Sequence, residues 1–198
     1  DTPIGGFNKG YYWTSTDYND KTAWSQYFMD GQQFDRVQTM DGNKTPPNPF
    51  RVRAIRAFGT SSSNATCAQG GSCKIGDTGP GGGTVVYAGP RMVASDGSTF
   101  MYMEYSAKMT KKAWICAKYL DQPTSVSGVL IGSGKANTKK LRALCPGYYD
   151  DVLNAGGGRT DWFIPSMNEL VLMLTDNTYM LWDKFGVNVL WTSTERDS

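Results

Sequence analysis

Between positions 50 and 58 the chain alternates. Phe50, Val52, Ala54, Arg56 and Phe58 fall on one face, and Arg51, Arg53, Ile55 and Ala57 on the other. A period of two is the mark of a β-strand. Aromatic and β-branched runs predict further strands at 11–16, 23–29 and 32–40, with Asp30-Gly31 and Asp41-Gly42 as turns. Residues 11–58 therefore read as an antiparallel meander. A small polar stretch at 59–66 reads as a linker. Beyond it, a glycine-rich turn at 75–83 feeds a strand at 84–87, and 99–105 reads as another strand. Helical spacing is expected around 110–120 and 137–144, with a further helical turn within 148–155. Residues 161–165 read as a strand ending at Pro165. Ser166 and Glu169, three apart, form a capping box that opens a helix over 167–174, with Leu170, Val171 and Leu174 as its apolar stripe.

One pattern is not local. The segment from Phe7 to Asp17, Phe-Asn-Lys-Gly-Tyr-Tyr-Trp-Thr-Ser-Thr-Asp, aligns with that from Phe185 to Glu195, Phe-Gly-Val-Asn-Val-Leu-Trp-Thr-Ser-Thr-Glu. The phenylalanines and the tryptophans are both 178 positions apart (185 − 7 and 191 − 13). The chain thus reads as one period of a repeat with an overlap, cut inside the repeating unit. A single domain has no use for one strand twice, whereas a chain that joins a copy of itself does. Residues 1–58 are expected to close one unit and 67–198 to open the next. The expected assembly interface is Phe7, Tyr12 and Trp13 at one end and Phe185, Leu190 and Trp191 at the other.

Composition adds limits. Basic and acidic residues nearly balance, 20 against 18, which gives no electrostatic footprint for nucleic acid. Histidine is absent, which removes the commonest general base and metal ligand. Aromatics at 13% and 23 glycines suit short strands and tight turns. No apolar run reaches the roughly 18 residues of a membrane span, so membrane insertion is not expected. Asp1 reads as a processed end or the edge of a fragment.

The four cysteines allow three pairings. Cys67 and Cys73 bracket a short flexible loop, so they are expected to pair. Cys116 and Cys145 then form the second bond, stapling two helices. Free buried thiols are the alternative reading, and the spacing without histidine argues against zinc. An even count with one tight loop fits an oxidising compartment.

Catalytic chemistry finds little purchase. A serine nucleophile without histidine would need a lysine or carboxylate base, and no such pair with an orienting partner is evident. Asp20, Asp150 and Asp151 read as solvated surface acids. The glycines at 79–83 lead into a β-branched strand rather than a Lys-Ser/Thr helix start, which argues against a phosphate-cradling loop. Their triplet period is too short for collagen. Asp121-Gln122-Pro123 has the wrong order for a lectin calcium site. Trp24, Tyr27 and Tyr119 could stack on sugars or pack the core. No catalytic residue, metal ligand or cofactor is assigned.

Asp161-Trp162-Phe163-Ile164-Pro165-Ser166-Met167-Asn168-Glu169-Leu170 resembles a signature of bacterial surface domains, typified by the C-terminal domain of the Legionella collagen-like adhesin. Tyr12 to Thr16, then Ala23-Trp24, Phe28, Gly31 and Val52 to Arg56, look like the closing motif of that family. Residues 75–87 and 131–138 resemble the form found in large secreted repeat proteins. The resemblance implies an α+β, C-type-lectin-like fold in an extracellular or cell-surface protein. The motif order departs from the family, with the closing motif first. The expected role is a structural subunit of a surface filament or tandem array, joined head-to-tail to copies of itself. A surface adhesin for glycans or matrix is the alternative. An enzyme on a related architecture would need a reactive cysteine pair.

Overall fold

The computed structural model describes residues 7–19, 21–37, 50–60, 64–120 and 122–172. Six strands form one sheet: β1 (Tyr11–Asp17), β2 (Thr22–Tyr27), β3 (Gln33–Val37), β4 (Phe50–Phe58), β5 (Thr84–Val93) and β6 (Thr99–Lys112). Three short helices accompany it: α1 (Ser133–Leu144), α2 (Asp150–Leu153) and α3 (Met167–Leu172). The class is α+β, as expected. Of the expected features, Phe185, Leu190, Trp191, Leu174, Asp20, Asp121 and the Asp41-Gly42 turn lie outside the described residues.

The strand order is β3-β2-β1-β4-β6-β5. This corrects the simple meander. β1, β2 and β3 are antiparallel neighbours, but β4 lies beside β1, parallel to it, and not beside β3. The reason is burial. β4 carries apolar side chains on both faces, so an interior position suits it better than an edge. Its other neighbour is β6, paired antiparallel from Phe50 opposite Lys112 to Phe58 opposite Tyr102. The two stretches assigned to successive units, 1–58 and 67–198, therefore share one sheet over the described residues.

A second correction concerns 110–120. β6 runs through Lys112, and only a 3-10 turn at Ala117–Tyr119 remains of the expected helix. Lys111 and Lys112 favour helix locally, but their backbone pairs with Arg51 and Phe50. Tertiary pairing overrides a weak propensity.

The alternation in β4 sorts residues between two apolar clusters on opposite faces. Val52 and Ala54 join Trp13, Trp114, Leu141, Tyr149, Trp162 and Ile164. Ile55 joins Phe7, Tyr12, Phe28, Met103, Phe163 and Leu170. Arg53 faces this second cluster with its guanidinium 4.7 Å from the Phe7 ring centre and 4.3 Å from that of Tyr105. Stacking of a cation on rings makes such an inward arginine tolerable. Both disulfides take the expected pairing, Cys67–Cys73 and Cys116–Cys145. The second ties the start of the 3-10 turn to the end of α1, rather than one helix to another.

Candidate assembly site

β1 and β4 touch only at Tyr12 opposite Arg51, then diverge. The Trp162–Pro165 stretch enters the gap. Ile55 and Phe163 exchange backbone hydrogen bonds of 2.8 and 2.9 Å, and Ser15 N–H donates to Pro165 O at 2.7 Å. The Asp-Trp-Phe-Ile-Pro motif is thus a wedge between two strands of the sheet. Trp162 is buried behind it, its indole N–H turned toward Gly156 O at 3.4 Å.

β1 also leaves its other neighbour. Trp13 faces Ser25 and Asp17 faces Ala23, so four steps along β1 match two along β2. Such a bulge frees backbone groups for other partners. Asp17 N–H donates to Val126 O at 2.8 Å. The Trp114 indole donates to Thr14 O at 2.8 Å, and the Trp13 indole to Lys112 O at 3.1 Å. Thr16 Oγ1 donates to Gly128 O at 2.8 Å and accepts from Met167 N–H at 3.3 Å. Asn137 Nδ2 donates to Gly128 O at 2.7 Å and to Ser15 Oγ at 3.3 Å. The Asp17 carboxylate accepts from Thr124 Oγ1 and from Val126 N–H. Thr14, Ser15 and Thr16 are 1%, 0% and 0% exposed. Buried hydroxyls need partners, and here residues 112–167 supply most of them.

Of the three described members of the expected interface, Phe7 and Tyr12 lie together and Trp13 does not. Phe7 stacks on Phe28 with ring centres 4.3 Å apart and lies edge-on to Tyr12 at 5.0 Å. The Tyr12 hydroxyl accepts from Asn8 N–H at 3.1 Å and donates to Met109 Sδ. Burial raises its pKa above the ordinary 10. Trp13 faces the opposite cluster.

Glu169 braces the segments around β1 from behind. Its carboxylate accepts from Ser166 N–H at 2.7 Å and from Gly132 N–H at 2.8 Å. Ser166 Oγ accepts from Glu169 N–H at 3.4 Å, which completes the capping box read from the sequence. The reach to Gly132 is the unexpected part: one carboxylate serves the starts of both α1 and α3. A Cβ on Gly134 would stand 2.2 Å from its Oε2, so glycine is required there. Burial pushes the Glu169 pKa up to about 7, against the pull of these amides. On the next turn, Thr138 Oγ1 accepts from Ile164 N–H at 2.8 Å and so anchors the wedge to α1.

The glycine turn has a comparable task. Gly81 and Gly83 N–H donate to the fully buried Glu104 carboxylate at 2.8 and 3.0 Å. Arg56 pairs with the same carboxylate at 2.9 Å and with Asp161 at 2.7 Å. The amides of this glycine turn are occupied by a side chain of the same chain and not left open to a phosphate. Sequence reading missed Glu104, Asn137 and the double role of Glu169, because acids and amides ordinarily read as surface residues. The one available signal was the Gly-Ser-Gly-Lys-Ala-Asn-Thr run at 132–138.

Trp24 and Tyr27 lie on opposite faces of β2, three positions apart, and Tyr119 packs against the first cluster. They do not form one platform. Asp150 and Asp151 pair with Arg142 and Lys112. Among the described residues no group of three or more His, Cys, Asp or Glu could hold a metal ion, and no helix is long and apolar enough to cross a membrane. The chain matches no family model, no curated protein and no solved structure at a significant level.

Proposed function

We propose that this chain is a structural subunit of a bacterial surface filament or tandem-repeat array, secreted and joined head-to-tail to copies of itself by strand sharing. One observation carries the reading. The Trp-Thr-Ser-Thr of β1, buried in a socket made by residues 112–167, recurs at 191–194 near the far end of the chain. When residues 7–58 complete the sheet of their own chain, the unit is closed. When they complete the sheet of a neighbour, the same contacts join two units. That is domain swapping, and its head-to-tail form does not close on itself, so it propagates. Two disulfides support an extracellular setting. The C-type-lectin-like architecture belongs to the same reading and rests on the motif resemblance.

The test is assembly as a function of concentration. Purified full-length chain, followed by light scattering and negative-stain imaging, is expected to give ordered linear polymers without any added ligand. A compact monomer at every concentration up to the millimolar range would overturn the reading.

A second reading, an adhesin module for surface glycans, is favoured by one feature. Tyr11 and Tyr27 stack 4.5 Å apart, Tyr11 and Phe50 4.8 Å, and Phe34 meets Tyr11 edge-on, all half-buried on one face. Flat ring faces of this kind suit sugar stacking. Binding of monomeric protein to a glycan array, lost with Tyr27→Ala, is the expected result under this reading.

A further inference from the structure

The socket around β1 recognises polar groups, and that makes its occupant identifiable. A strand held only by apolar burial could be replaced by any strand of similar volume. Ser15, Thr16 and Asp17 are buried and polar, so they fit only where Gly128, Asn137, Pro165 and Val126 present the right partners, while the Thr14 hydroxyl donates to Trp24 O of β2. Those partners occur once in the chain, while the Trp-Thr-Ser-Thr segment occurs twice. The described residues thus hold one such socket, and the sequence holds two copies of the segment, the plug, that fills it.

We infer that the second plug, residues 185–195, occupies the β1 socket of a second copy of this chain, with Trp191, Thr192, Ser193 and Thr194 in the places of Trp13, Thr14, Ser15 and Thr16. This deepens the head-to-tail reading and rests on it. The shared positions are the gripped ones. The Trp13 indole, Thr14 O, Ser15 N–H and Thr16 Oγ1 all make bonds that the second copy can reproduce. From Tyr11 to Asp17 the differing positions are compatible, whereas Asn188 aligns with Gly10, where a Cβ would stand 2.1 Å from Arg51 Nη1, so the Arg51 side chain must move for the second copy to enter. Leu190 replaces Tyr12, keeping apolar bulk and dropping a hydroxyl that needs Asn8 and Met109. Val189 replaces Tyr11 at a half-buried site. Glu195 replaces Asp17 and keeps a carboxylate for Thr124 and Val126 N–H, one methylene longer. The first copy makes the additional tyrosine contacts, so it is the tighter plug, and the second enters in competition with it.

Disulfide trapping between two full-length chains tests this. One chain carries Thr124→Cys and the other Glu195→Cys, and the two are refolded together in a glutathione redox buffer so that both plugs compete on equal terms. A covalent heterodimer is expected, at least tenfold more abundant than with Ser193→Cys as donor, because the counterpart of Ser193 faces Asn137 and not Thr124. Adding Trp13→Ala to the acceptor should raise the yield several-fold, and adding Trp191→Ala to the donor should lower it at least tenfold. If the Trp13→Ala acceptor folds only when donor is present, recovery of its near-ultraviolet signal on mixing supports the inference equally. Absence of heterodimer with both acceptors overturns it. Heterodimers without ordered polymers would keep the socket and remove the filament. Polymers that persist with Trp191→Ala would do the reverse.

Discussion

Glu169 shows how much can rest on one side chain. Its carboxylate ends the unpaired amides of two helix starts at once, and the wedge at 162–165 leads directly into it. Its folded-state pKa is raised from an ordinary 4.5 to about 7, so the folded chain holds the proton more tightly than the unfolded chain. That contribution is full below pH 4.5 and is lost as pH rises through about 7. The loss is on the order of 3 kcal/mol across that window. Urea unfolding at several pH values should show stability falling over that range. Glu169→Gln should abolish the slope. It should also cost about 1–3 kcal/mol at neutral pH, because the amide turns a donor toward donors. A Glu169→Gln chain with wild-type stability and an unchanged pH profile would show that the amides of Gly132 and Ser166 do not depend on the carboxylate.

At the level of elements, the strands were legible wherever alternation, aromatic runs or turn residues marked them: β1, β2, β3, β4 and the starts of β5 and β6. The capping box was legible because its two residues are three apart, and both cysteine pairs followed from loop size. The place of β4 was not legible, because the choice between β3 and β1 as neighbour is made by burial on both its faces. The length of β6 was hidden for a related reason. Its last residues read as helix until β4 lies beside them. The socket escaped because its parts come from four separate stretches between 112 and 167, each unremarkable alone. The disulfides give a test at this scale. Replacing Cys116 and Cys145 by serine opens a loop with a sequence separation of 29, against 6 for Cys67 and Cys73. Loop-closure entropy then predicts losses of roughly 3.5 and 2 kcal/mol, respectively. Thermal melts of the two double-serine variants should rank in that order.

Over the described residues, the molecule unites what the repeat pattern divides. β4 from the first half and β6 from the second are adjacent central strands, and the wedge bridges β4 and β1. Unfolding of the monomeric chain should therefore be a single cooperative transition. Amide hydrogen exchange is the sharper measure. The protected amides of β1, β4 and β6 should open with the same free energy and the same denaturant dependence. Separate opening of β1 and β4, well before β6, would mean that the halves are independent units.

The distance along the chain between plug and socket has a consequence in time. Trp13 bonds to residue 112, Ser15 to residue 165 and Met167 to Thr16. During synthesis β1 is therefore exposed long before the residues that hold it in this structure are made, and contacts of such separation form slowly. The socket is complete only at residue 167. Closure of the sheet is thus decided by order of arrival: β1 is made first, yet it is seated only after the residues that hold it have been made.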